Sequence, residues 1–192
     1  MIDDTYSLPR FFNMRRLLIN IHLYLAAFLA PMLLLVAISG GLYLLSIKGE
    51  VTRESVTLPA GSLLDASAPT LAADVRALLA DAGVAHEFEY LRIGGNKIVT
   101  RPTSREHYQF DIGAAGVTAT RNTPDLQARM MELHKGHGPG LFKDFQKVLA
   151  VGLMFIVLSG LWLGLSAPGL RNKTLLSSVA GLVVFAGLVF LA

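Results

Sequence analysis

From Leu17 to Leu45 the chain has no formally charged side chain, and the one imidazole in that run is His22. Closed into a helix at a rise of 1.5 Å per residue, the run is about 43 Å long, more than the roughly 30 Å of a bilayer core. Val148–Leu165 and Leu175–Leu191 are also uncharged, and each reaches the minimum of about 17 residues for crossing. The chain of 192 residues is 53% hydrophobic and 16% charged, with a mean hydropathy of +0.51, so lipid must absorb much of its apolar surface. These runs predict a membrane α-helical protein with three transmembrane helices and a small α+β domain inserted between the first and second. The first run is about twice the length of a signal-peptide core and no clear A-x-A site follows it, so it reads as an anchor.

Charge supplies the orientation. Arg10, Arg15, Arg16, Arg171 and Lys173 against Asp3 and Asp4 account for the whole net charge of +3. The positive-inside rule therefore puts the N-terminus and the Arg171/Lys173 loop in the cytoplasm and the large polar segment outside. Lys135, Lys143 and Lys147 argue the other way, although long domains are largely exempt from the rule. Basic and acidic residues balance between Lys48 and Lys147, which excludes the electrostatic footprint of a nucleic-acid binder. Without cysteine there is no disulfide framework, thiolate metal site or cysteine nucleophile.

The pattern divides the chain into a cytoplasmic tail over 1–16, a first span over 17–47, an outer α+β domain with its leading-in linker over 48–130, a His/Gly loop and juxtamembrane helix over 131–147, a second span over 148–166, a cytoplasmic loop over 167–174 and a third span over 175–192. Within the domain, residues 51–69 lack a period and read as an irregular linker. Thr70 is placed to cap a helix whose Leu71, Val75, Leu78 and Leu79 share a face and whose stop is Gly83. Alternation over Phe88–Ile93, a Gly94-Gly95-Asn96 turn and Lys97–Thr100 predict a hairpin. His107–Ile112 and Val117–Thr120 extend it into a meander, with one helix on one face and a polar second face. Residues 124–133 predict a short helix broken by the glycines after His134.

His22 is the leading candidate for chemistry, because ionisable side chains inside apolar helices are rare. Its alternative reading is a wet imidazole at headgroup level. Ile38-Ser39-Gly40-Gly41-Leu42-Tyr43 near the end of the first span resembles Leu158-Ser159-Gly160-Leu161-Trp162 near the end of the second. Antiparallel spans place His22 at the depth of Ser159-Gly160, and His134 and His137 at that of Ser39-Gly40-Gly41. Small residues opposite an imidazole suit the flat disc of a membrane haem b, which makes His22, His134 and His137 candidate haem ligands. Small residues equally suit close helix packing, as in Gly160-x-x-x-Gly164. Bis-histidine ligation takes two imidazoles per iron, so a homodimer, a second subunit or a five-coordinate iron would have to complete either site. His134 and His137 are three apart without a third ligand, which leaves any other metal undefined. His86 and His107 read as ordinary sheet or surface residues. No catalytic residue is assigned, since no hydrolase, zincin, P-loop or dinucleotide motif occurs.

Arg15-Arg16-Leu17-Leu18-Ile19-Asn20-Ile21-His22-Leu23-Tyr24-Leu25, Ile38-Ser39-Gly40-Gly41-Leu42, Leu133-His134-Lys135-Gly136 and Leu158-Ser159-Gly160-Leu161-Trp162 resemble, in order, the helix signatures of the bacterial PepSY-associated transmembrane helix proteins. Residues 71–120, closing on the Phe110–Val117 turn, are similar to a PepSY module. The resemblance implies a multi-pass protein of the bacterial inner membrane with a PepSY-like domain in the periplasm. It implies lipid and a periplasmic or membrane protein as partners. Larger family members with four spans include haem-binding ferric-siderophore reductases, and His22 and His134 match their ligand positions. With three spans the expectation is an accessory, interaction or regulatory module, and the alternative is a haem-b electron-transfer protein related to those reductases.

Overall fold

The computed structural model describes residues 10–114 and 116–191. The first nine residues of the expected tail, Ala115 in the expected turn and Ala192 at the end of the third span lie outside the described residues. The order of elements is α1 (Arg10–Leu44), β1 (Val51–Val56), α2 (Leu71–Asp81), β2 (Tyr90–Gly94), β3 (Lys97–Arg101), β4 (His107–Gly113), β5 (Gly116–Pro124), α3 (Leu126–His134), α4 (Gly140–Leu165) and α5 (Arg171–Leu191). Helices α1, α4 and α5 are long and apolar enough to cross a membrane. The chain forms two compact units, one of residues 1–31 and 148–192 and one of residues 32–147. Helices α1 and α4 each contribute to both.

In the first unit, close approach rests on small residues of α4. A Cβ on Gly152 would lie 2.5 Å from Leu29 Cδ1, and one on Gly164 would lie 2.6 Å from Thr174 Oγ1. Leu29 is fully buried against this notch. Helix α5 keeps large apolar side chains exposed, among them Leu176, Phe185 and Phe190.

The second unit is built on a five-stranded antiparallel sheet of order β1-β5-β4-β3-β2. Its main core lies on one face, where Leu71, Val75 and Leu79 of α2 meet Ile98, Tyr108, Phe110 and Ala119. The period of that helix is why: residues four apart fall on one stripe. Thr70 does occupy the N-cap of α2, but its hydroxyl donates to Asp74 Oδ2 at 2.9 Å and makes no cap bond to the backbone. Gly83, at φ +73°, closes the helix while the Val84 amide donates to the Leu79 carbonyl at 2.8 Å. The β3–β4 ladder runs as far as Val99↔Gln109, beyond which the Tyr108 amide donates to buried Thr100 Oγ1 at 2.8 Å.

Three boundaries differ from expectation. The supposed linker contains β1, paired with β5 from Val51↔Pro124 to Val56↔Ala119. Its sequence, VTRESV, has little apolar alternation because an edge strand gains mostly backbone bonds there. The supposed tail is helical from Arg10, since α1 continues through Arg15 and Arg16. The supposed juxtamembrane helix is the start of α4 rather than a separate element. Glu89 accepts from the Gly140 amide at 2.8 Å, satisfying a donor at the N-terminus of α4, and Lys143 Nζ donates to the Tyr90 hydroxyl.

Candidate functional site

The two Ser-Gly segments each receive a histidine. In the first unit, His22 on α1 sets Nδ1 2.8 Å from Ser159 Oγ on α4, and a Cβ on Gly160 would lie 3.3 Å from His22 Cε1. In the second unit, His134 on α3 sets Nδ1 2.9 Å from Ser39 Oγ on α1, and a Cβ on Gly40 would lie 3.1 Å from His134 Cε1. Both serines are buried. The same geometry thus occurs twice, with the missing side chain of each glycine leaving room for an imidazole edge.

The serine hydroxyls decide the tautomer. Ser39 Oγ lies 2.7 Å from the Leu35 carbonyl, and Ser159 Oγ lies 3.1 Å from that of Ile156. A carbonyl only accepts, so each hydroxyl donates back to its own helix and accepts from the imidazole Nδ1–H. A neutral ring then carries its lone pair on Nε2, which makes no hydrogen bond among the described residues. That is the nitrogen with which an imidazole binds a metal when its other nitrogen is held by a neighbour. The donor set fits a haem in one respect only: each site offers one imidazole nitrogen that could hold the iron. The slot beside each glycine is filled by the imidazole itself, and no group of three or more His, Cys, Asp or Glu converges among the described residues.

His134 and His137, read as a pair, part company. His134 ends α3, and Gly136, at φ +75°, turns the chain so that the His137 amide donates to the Glu132 carbonyl at 2.9 Å. The His137 ring sets Nδ1 2.7 Å from Glu132 Oε2, away from Ser39. Thr103 Oγ1 donates to the same carboxylate oxygen and accepts from Arg101 at 2.8 Å. Burial opposes ionisation of Glu132, but the bonds from Thr103 and His137 outweigh it and hold the carboxyl below its ordinary value.

His86 and His107 lie on opposite faces of the sheet. His86 Nε2 is 3.2 Å from Thr100 Oγ1, and its ring is 4.6 Å from that of Tyr108. His107 Nδ1–H donates to the Arg105 carbonyl at 2.9 Å. Burial pushes both below the ordinary histidine value.

Sequence reasoning does not find Arg101, Thr103 or Glu132. Arg101 is 7% exposed and Thr103 6%, in a stretch whose polarity reads as a solvated turn. The available signal is weak: Arg-Pro-Thr-Ser closes β3, and its buried Pro102 offers no larger apolar side chain to mark the turn as interior. No family model matches the chain, and no curated protein or solved structure matches it significantly.

Proposed function

We propose that this chain is a three-span protein of the bacterial inner membrane that carries a PepSY-like domain in the periplasm as an anchored interaction module. The observation that carries the reading is the outer edge of β2, which pairs with no strand among the described residues. The sheet ends on this strand, and Tyr90, Arg92 and Ile93 are exposed along it. An extended segment of a partner protein adds to such an edge through backbone hydrogen bonds, with side-chain contacts setting specificity. Gly94 and Gly95 at the hairpin tip leave that end of the edge clear of bulk. Asp125 supports the module as a fixed domain: its carboxylate accepts from the Ala128 amide at 2.7 Å and the Glu50 amide at 2.9 Å, tying α3 to the segment after α1.

The test is a photo-crosslinking residue at Arg92 in membranes of cells expressing the full chain. The expected result is one dominant protein adduct that disappears in Ile93→Asp. Adducts only to lipid and bulk porin would overturn the reading.

A second reading is favoured by the two Nε2 lone pairs: a haem-b electron-transfer protein in which His22 and His134 would each hold haem iron and a second copy or subunit would supply the remaining ligands. It predicts a Soret band in detergent-purified protein that shifts on dithionite and weakens in His22→Ala and His134→Ala. A colourless, folded sample from haem-supplemented cells removes it.

A further inference from the structure

The face of the sheet turned away from α2 is polar and roofed. Strand alternation puts Arg53, Arg101, His107, Gln109 and Asn122 on that face, and the pairs Arg53↔Asn122 and His107↔Asn122 bring three of them side by side. Helix α3 lies over them and, with Lys48 at the side, encloses a cavity of about 390 Å³. All of these residues belong to the one unit of residues 32–147.

Its charge is one-sided. Lys48, Arg53, Arg101 and Lys135 line the cavity, against Glu132 as its sole carboxylate among the described residues. Glu132 is already engaged by Thr103, His137 and Lys135, and its approach to Arg101 is only 4.0 Å. Arg53 makes no ion pair among the described residues. Arg101 is the anomaly: it is 7% exposed, one terminal nitrogen donates to Thr103, and its Nε is buried without a hydrogen-bond partner among the described residues. Arg101 is thus balanced by one carboxylate at the limit of ion-pair distance, and a buried guanidinium is retained most readily where further anion oxygens complete its hydrogen bonds. Guanidinium donors match the oxygens of phosphate in a fork geometry.

We infer that this cavity binds a phosphate group, with Arg101 as the buried donor and Arg53, Lys48 and Lys135 as the cations at its mouth. The cavity lies on the sheet face, so the inference stands apart from partner binding at the β2 edge. The phosphate comes either free in solution or on a lipid headgroup, and the chemistry of recognition is the same for both.

The experiment uses the full chain in nanodiscs. Inorganic phosphate is titrated into discs of phosphatidylcholine, whose headgroup phosphate is neutralised by its own choline, with thermal unfolding and ³¹P NMR as readouts, and the unfolding is repeated in discs containing phosphatidylglycerol, whose headgroup phosphate keeps its net negative charge. A saturable rise in Tm with inorganic phosphate, weakened at least tenfold in affinity by Arg53→Gln, supports a free phosphate ligand. A rise only with phosphatidylglycerol, lost in the same variant, supports a headgroup. Because Arg101→Gln alters a buried residue and can fail to fold, Lys135→Gln serves as the second, exposed variant and is expected to weaken binding in the same direction. No response to either phosphate source, or equal responses in wild type, Arg53→Gln and Lys135→Gln, overturns the inference.

Discussion

At Gly49 two independent constraints coincide. Its φ is +76°, and a Cβ there would lie 2.3 Å from the Ala128 amide nitrogen and 2.6 Å from Asp125 Oδ1. Gly61 has a similar φ of +78° but open space around it. Gly61→Ala should therefore cost about 1–2 kcal/mol, the left-handed backbone penalty alone. Gly49→Ala should cost distinctly more, because backbone atoms at the N-terminus of α3 must move as well. Chemical denaturation of the two variants in parallel checks this, and equal losses would sink the explanation. A pH effect also belongs at this scale. His86 and His107 have values pushed below the usual 6.5 by burial, so the unfolded chain binds more protons than the folded one just below that pH. Their contribution is complete above about pH 6.5 and is lost as pH falls towards the folded values. Thermal unfolding between pH 7.5 and 5 should show Tm falling with acidity, and His86→Phe should flatten the slope. Glu132 and Asp125, held below their ordinary values, extend the loss at more acid pH, since each loses its bonds on protonation.

Helix α2 depends on its buried stripe more than on its cap. Thr70 makes no side-chain cap bond, whereas Val75 is fully buried and Leu79 is 1% exposed. Leu79→Ala should cost about 2–5 kcal/mol, and Thr70→Ala much less, as read by urea unfolding in detergent. Among the strands, β3, β4 and β5 have neighbours on both sides while β1 and β2 are edges. Amide exchange should be slowest in β4 and fastest along the outer edges of β1 and β2; uniform protection across the sheet would contradict the order of pairing. The meander from β2 to β5 is legible in the sequence because alternation and the Gly94–Asn96 turn are local signals. Strand β1 is not, since what makes VTRESV a strand is β5, far along the chain.

At the scale of the molecule, three helices among the described residues pass the length and apolarity needed to cross a membrane. Membrane fractions of expressing cells should hold the protein after alkaline washing and release it only into detergent. Recovery as a monomer in the supernatant without detergent would remove the three-span reading. Long-range contacts were legible only where the chain repeats itself. His22 with Ser159 and His134 with Ser39 are separated by 137 and 95 residues, yet the duplicated Ser-Gly segments and antiparallel depth bring each pair together on paper. The chain Arg101–Thr103–Glu132–His137 has no such repeat. Thr103 and Glu132 are 29 residues apart on different elements, and only the seating of α3 over the second sheet face joins them. The linear order of side chains by itself determines the uncharged runs, the stripe of α2 and the alternating strands, because hydropathy and backbone preference act over one or two turns. The pairing of β1, the separation of His134 from His137 and the cationic cavity are decided only in three dimensions, where register and helix placement choose which polar groups are buried together.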